Sequence, residues 1–331
     1  MKLSELGEFG FIRRLRQQVS DGPGVRLGIG DDCAALELPP GELLLTTTDL
    51  LIEQVHFRRD WTDPRSLGRK SVAVNISDIA AMGGTPRHLF LGLGIPAATE
   101  AEELEAFMAG FIEAAAEYGA ALVGGDTCRS AGPLLISVTA QGSVPAEELV
   151  RRGGARPGDA IYVSGTLGDS ALALDRLLAG AEPDPWLARR HHDPTARSGL
   201  GRALAAARLP SAMIDLSDGL LADLGHVLEA SGVGARVELG LVPLSPAFRA
   251  ALAAAPGLVE LALAGGEDYE LLFTLDPRHE PQLQRLAAEV GVPLTRVGRI
   301  VSPEEGLQIL DLQGHPYRPT RLGFNHFQPG A

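Results

Sequence analysis

Lysine and cysteine are almost absent from this chain: in 331 residues the lysines are Lys2 and Lys70, and the cysteines are Cys33 and Cys128. Two isolated cysteines, with no CxxC pair and no histidine at zinc-ligand spacing, argue against a disulfide framework or a structural zinc site and fit a reducing cytoplasm. The net charge is −13, and the basic residues, nearly all arginine, form no stripe. A nucleic-acid or anionic-membrane partner would not be attracted to such a field. No apolar run reaches the roughly 18 residues that a membrane span needs. The first residues, with Lys2, Glu5 and Glu8, lack a signal-peptide core. Also missing are the GxxxxGK[ST] phosphate loop and the HRD and DFG sets of protein kinases. These absences predict a cytoplasmic protein with no nucleic-acid or membrane partner.

The chain is rich instead in oxygen ligands. Six short acidic clusters stand beside glycine, serine, threonine or asparagine: Gly28-Ile29-Gly30-Asp31-Asp32, Thr46-Thr47-Thr48-Asp49, Asn75-Ile76-Ser77-Asp78, Gly124-Gly125-Asp126-Thr127, Asp215-Leu216-Ser217-Asp218-Gly219 and Gly265-Gly266-Glu267-Asp268. One aspartate after a strand is ordinarily a turn or cap residue. Six clusters gathered in one site would repel one another. A polynuclear Mg²⁺ site removes that cost, because hard cations take carboxylate, hydroxyl and water oxygens. The ligands expected on these grounds are Asp32, Thr47, Thr48, Asp49, Asp78, Asp126, Asp215 and Asp218. With so few lysines, any phosphate chemistry must draw most of its charge neutralisation from metal ions. No covalent nucleophile is expected, since Cys33 and Cys128 have no evident base and read as small buried packing residues.

The length fits about two domains. In the first, residues 1–145, a helix is expected within 1–20 and a strand over 43–48 ending at Asp49. A helix runs from the Asp63-Pro64 start to about Met82, where Gly83-Gly84 stops it. A strand at 88–95, a helix over Ala101–Tyr118, a strand Ala121–Val123 and a strand Leu134–Thr139 complete an α/β alternation. Lys70 reads as a solvated lysine on the 64–82 helix. Residues 144–158 read as a linker. The second domain, 150–331, opens with strand Ala160–Val163 and a helix to about Ala179. Residues 180–196, with Arg189-Arg190-His191-His192, read as a surface excursion. Strands are expected at 235–239, 269–275, 294–300 and 307–311, and helices at 218–230, 246–254 and 277–290.

The motifs, in order and spacing from about Gly7 to Phe327, resemble a known family. Gly28-Ile29-Gly30-Asp31-Asp32-Cys33-Ala34, Thr47-Thr48-Asp49, Ala73-Val74-Asn75-Ile76-Ser77-Asp78, Gly124-Gly125-Asp126-Thr127, Ile214-Asp215-Leu216-Ser217-Asp218-Gly219-Leu220 and Gly265-Gly266-Glu267-Asp268-Tyr269-Glu270 are similar to those of the thiamine-monophosphate kinases. These belong to the aminoimidazole-ribonucleotide-synthetase-like superfamily. The resemblance implies a two-domain PurM-like fold, α/β (α+β) in class. Its N-terminal mixed α/β domain binds ATP and Mg²⁺ and pairs its sheet across a homodimer, and its C-terminal α+β domain completes the active-site cleft. ATP would be co-substrate, several Mg²⁺ ions the cofactors, and thiamine monophosphate the acceptor, in the last step of thiamine diphosphate biosynthesis.

The eight candidate ligands above match the family's metal positions. Gly125, Asp126, Arg152 and Ser217 match positions around ATP. His56, Glu267 and Phe324 match the substrate side, with Phe324 as an aromatic cover. The acceptor phosphate is already largely ionised near pH 7, its second pKa being about 6. In-line positioning and charge neutralisation then carry the transfer, without a general base. Two rivals are another ATP-dependent synthetase of the superfamily and a non-catalytic nucleotide or divalent-cation binding module.

Overall fold

The computed structural model describes residues 8–20, 22–29 and 33–324. It divides the chain into two compact units, Met1–Ile79 with Gly84–Glu147, and Ala80–Gly83 with Glu148–Ala331.

The N-terminal unit begins with helix α1 (Glu8–Gln18) and a two-stranded antiparallel pair, β1 (Val25–Leu27) and β2 (Ala35–Leu36). Its main sheet has the order β3 (Glu42–Ile52), β6 (Leu135–Pro145), β4 (Thr85–Pro96), β5 (Ala121–Ser130). β3 and β4 each pair antiparallel with β6, which lies between them, and β4 pairs with β5 in parallel. That parallel pair is joined through helix α3 (Ala101–Glu117), as a crossover connection requires. α3 buries Leu104, Phe107, Met108 and Phe111, one stripe at helical spacing.

Helix α2 (Pro64–Ala81) starts where Asp63 caps it: the Ser66 N–H donates to Asp63 Oδ1 at 3.0 Å. It ends at Gly83, whose φ of +73° suits glycine. Every residue from Lys70 to Ser77 is buried. Lys70 is therefore not the solvated lysine that its sequence context predicts; it is 3% exposed. The strands also outrun expectation. β3 carries on through Asp49 to Ile52, because each of its residues from Glu42 onward has a partner on β6. β5 likewise continues through Gly124-Gly125-Asp126 alongside β4. Gly125 is required there, since a Cβ would sit 2.0 Å from the Leu91 carbonyl oxygen.

The C-terminal unit holds a six-stranded sheet in the order β12 (Leu307–Leu310), β9 (Gly234–Glu238), β11 (Leu294–Val301), β7 (Ala160–Ser164), β10 (Leu271–Leu275), β8 (Ala212–Asp215). All neighbours are antiparallel except β12 and β9. Strand alternation sends side chains to two cores. Ile161, Val163 and Ile214 face one, with Leu172 of α4 (Asp169–Leu178) and Leu220, Leu224 and Val227 of α7 (Leu220–Ser231). Ala160, Met213 and Phe273 face the other, with Leu200 and Leu204 of α6 (Ser198–Ala206) and Leu283 and Leu286 of α10 (Glu280–Val290). Helices α8 (Pro246–Ala254) and α9 (Val259–Ala264) complete the first layer.

The span 180–196 is a surface excursion only in its first part: residues 180–186 are exposed or half-buried, and the chain turns inward from Leu187. It contains helix α5 (Pro185–His192), started by Asp184, whose side chain accepts the Trp186 N–H, and by Pro185 at the first helical turn. Arg190 and His191 on it are buried. Cys33 and Cys128 are both exposed rather than buried packing residues. Among the described residues, no helix is long and apolar enough to cross a membrane.

Candidate functional site

In the N-terminal unit the site is built by β3 lying against α2. Alternation along β3 turns Leu45, Thr47, Asp49 and Leu51 toward the interior, and Thr46, Thr48 and Leu50 outward. Thr47 Oγ1 donates to Asp78 Oδ2 at 2.5 Å. The Asp49 N–H donates to Asn75 Oδ1 at 3.2 Å, and Asn75 Nδ2 donates to the Ser71 carbonyl at 3.1 Å. Burial, and then the neighbouring Asp78 charge, push the Asp49 carboxyl up to about 6. Thr47, Asp49 and Asp78 are thus brought together.

Thr48 is not. It lies on the other face, where its Oγ1 donates to the Val138 carbonyl at 3.1 Å and meets Thr139 Oγ1 at the same distance. Asp126 is exposed on β5, at the opposite edge of the sheet from β3. Its row runs through Gly92, Ser137 and Leu50, the face away from Asp49. Asp32 lies outside the described residues. His56 sits just beyond β3, and its Nδ1 accepts the Ile52 N–H at 3.0 Å. The ring proton therefore resides on Nε2, which makes His56 a donor.

In the C-terminal unit two acidic loops are stitched edge to edge. The Leu216 N–H donates to the Glu270 carbonyl, Tyr269 N–H to the Leu216 carbonyl and Glu267 N–H to the Ser217 carbonyl, each at 2.8 Å. Gly266 allows this approach, since a Cβ there would stand 2.4 Å from the Ser217 carbonyl oxygen. Asp215 is buried at the end of β8, whereas Ser217 and Asp218 are partly open. Asp218, Asp223 and His226 place their ligand atoms within 4.8 Å of one another. Asp223 Oδ2 accepts the N–H groups of Asp218 at 3.1 Å and Gly219 at 3.0 Å. Burial, and then the Asp218 charge, still raise its carboxyl to about 7. Phe324 donates its N–H to the Asp218 carbonyl at 3.0 Å and is itself 37% exposed. Arg152 is exposed.

Behind these loops lies a buried ionic network. Glu270, fully buried, accepts Ser164 Oγ at 2.5 Å, Arg190 Nη2 at 3.0 Å, and Arg197 through Nε at 2.6 Å and Nη2 at 2.5 Å. Asp268 accepts the Gly168 N–H at 2.8 Å, and burial raises its carboxyl to about 8.

Asp223, His226, Arg190 and His191 are missing from the sequence-based set. Asp223 and His226 had a local signal, three residues apart on one helix face. Arg190 and Glu270 are 80 residues apart and had none.

The donor set fits divalent cations. It consists of carboxylates and a hydroxyl, and at Asp49 and Asp223 burial and like charge hold the proton on, which is the cost that a cation reverses.

The AIR synthase related protein N-terminal domain family matches residues 30–144, and the corresponding C-terminal domain family matches 156–309. The thiamine-monophosphate kinase of Salmonella typhimurium is 42% identical over 327 residues, covering 97% of this chain and 98% of the relative. The crystal structure of thiamine-monophosphate kinase from Stenotrophomonas maltophilia is 41% identical, with a TM-score of 0.84 over 94% of this chain and 98% of that one. AaThiL complexed with AMPPCP and TMP is 35% identical, with a TM-score of 0.77 over 99% of each chain. Near-full-length identity at this level, on a matching two-domain PurM-like α/β fold, places the chain in the thiamine-monophosphate kinase family.

Proposed function

We propose that the acidic groups described above are the chain's means of holding two phosphate-bearing substrates and several Mg²⁺ ions. The reaction itself follows from the family: ATP and thiamine monophosphate give ADP and thiamine diphosphate. The observation that carries the site reading is the Thr47–Asp49–Asp78 group, where two carboxylates are packed together with the Asp49 proton held to about 6. In the N-terminal unit Thr47, Asp49 and Asp78 would hold metal, with Asp32 as a further ligand by family match; Thr48 and Asp126, on the opposite face of the sheet, fall outside that group. In the C-terminal unit Asp215 and Asp218 would do so. Bound Mg²⁺ would neutralise phosphate charge and lower the repulsion between the two anionic substrates.

The remaining roles belong to the chain's own side chains. Gly125 brings backbone close to ATP, and Arg152 and Ser217 bind it. His56 presents its Nε2–H to the acceptor side. Glu267 and Phe324 contact thiamine monophosphate, the ring of Phe324 covering the heterocycle. No side chain is needed as general base, because the attacking phosphate oxygen is already ionised. The reading is supported by AaThiL having been solved with AMPPCP and TMP.

The test is product analysis. Purified protein with ATP, Mg²⁺ and thiamine monophosphate should yield ADP and thiamine diphosphate one to one, without free phosphate. Excess EDTA should abolish the reaction, and added Mg²⁺ restore it. ADP with free phosphate would point to another superfamily reaction. Binding of ATP without any ADP would leave only the binding module.

A homodimer is part of the proposal. β3 is a long edge strand. The outward face it shares with β6 exposes Leu44, Leu50 and Leu135, at 47%, 56% and 37%. Unpaired edges with apolar flanks are ordinarily covered. Light scattering behind a sizing column should give twice the 34.8 kDa chain mass; Leu50→Glu should shift it toward one chain, and a wild-type monomer would end the reading.

A further inference from the structure

We infer that His191 is a positioning residue that holds the Glu267 carboxylate in place and thereby sets affinity for thiamine monophosphate rather than for ATP. The inference rests on the reading of Glu267 as a substrate-side residue. Glu267 and Tyr269 have φ of +67° and +50°, and neither is glycine. Such conformations persist only where the surroundings over-determine them.

Two separate sets of contacts do so. The backbone is held by the hydrogen bonds to Ser217 and Leu216 and by Arg190, whose Nη2 donates to the Asp268 carbonyl at 2.8 Å. The Glu267 side chain is held from the next residue of α5. His191 is buried, and its Nδ1 stands 3.3 Å from Glu267 Oε2 and 2.9 Å from Ser170 Oγ. The Nδ1–H tautomer is the one in which His191 donates to Glu267, its proton then lying between the carboxylate and the Ser170 hydroxyl. Consecutive residues of one short helix thus grip the loop twice, Arg190 by its main chain and His191 by its functional carboxylate. The Glu267 side chain is 25% exposed, which leaves the carboxylate accessible while its rotamer is fixed from behind. Loss of the His191 N–H frees that rotamer and spares the backbone path.

The test compares wild type, His191→Phe, His191→Asn, Glu267→Gln and the double variant His191→Phe/Glu267→Gln by steady-state kinetics and thermal melting. His191→Phe should raise KM for thiamine monophosphate about tenfold and leave KM for ATP unchanged. His191→Asn, whose amide nitrogen stands near the position of Nδ1, should recover most of that loss. The double variant should be no worse than Glu267→Gln alone, since both act through one carboxylate. An equal rise in both KM values, or additive losses, overturns the inference. If Glu267→Gln raises KM for thiamine monophosphate and folded His191→Phe does not, the inference falls while the Glu267 reading stands. If Glu267→Gln changes nothing, both fall. Should His191→Phe not fold, the ¹⁵N resonance of His191 Nδ1 decides: Glu267→Gln should move it, and an unmoved signal overturns the inference.

Discussion

Asp49→Asn is expected to lower turnover about a hundredfold or more while raising the melting temperature of the metal-free protein at pH 7. The two effects have one origin. Asp49 is packed beside Asp78, and its carboxyl is raised from 3.8 to about 6, first by burial and then by that neighbour. Between those values the folded chain keeps a proton that the unfolded chain releases. Stability therefore falls as pH rises from about 4 to about 6, and the loss is complete above that window. At pH 7 the ionised carboxylate costs on the order of 2–3 kcal/mol. Asparagine keeps the shape and cannot ionise, so this pH slope should disappear. Mg²⁺ should reverse the order: it binds only the folded wild type and stabilises it by mass action, and the variant gains less. Melting curves at pH 4.5 and pH 7.5, with EDTA or with Mg²⁺, beside turnover on thiamine monophosphate, check all of this. A variant that melts lower without metal and still turns over would make Asp49 a packing residue.

What the sequence shows of the fold is what local pattern decides. The α2 start reads from Asp63-Pro64, and α3 from its Leu104, Phe107, Met108, Phe111 stripe. Lys70 defeats such reading, because a helix buried on all sides through two turns has no solvent face for a lysine to mark. The candidate site divides in the same way. Run together as letters, Thr47-Thr48-Asp49 looks like one ligand group. The period of a strand turns Thr48 to the other face and leaves Thr47 and Asp49 with Asp78. That division was available from the sequence once the stretch was read as mid-strand rather than strand end. α5 had its own local signal too, Asp184-Pro185, obscured by the prolines around it. What α5 buries had none: Arg190 and His191 meet Glu270 and Glu267 across some eighty residues of chain, and only the folded sheet brings them together.

Glu270→Gln should show how much depends on that meeting, with an expected drop of about 10 °C in the melting of the C-terminal unit. Glu270 is fully buried and receives both guanidiniums, with side-chain exposures of 8% for Arg190 and 21% for Arg197. A buried pair adds little net stability over apolar residues of the same size, because desolvation offsets attraction. Removing one partner is different, since it strands the other charge, at about 3–5 kcal/mol. Arg197 can relax toward solvent, but Arg190 cannot, being tied to the Asp268 carbonyl as well. The double variant Glu270→Met/Arg190→Met should therefore melt higher than Glu270→Gln and recover at least half of the loss. Calorimetry measures both, and a double variant less stable than either single change would show that the charges themselves stabilise the unit. Turnover should not recover with stability. The Glu270 carbonyl receives the Leu216 N–H, and Asp268, beside it, is the residue whose carbonyl Arg190 holds. A chain repaired with methionines keeps its core but loses the arginine that sets the path of the loop carrying Glu267. Restored melting with persistently weak thiamine monophosphate binding is thus the expected signature of a network retained for geometry.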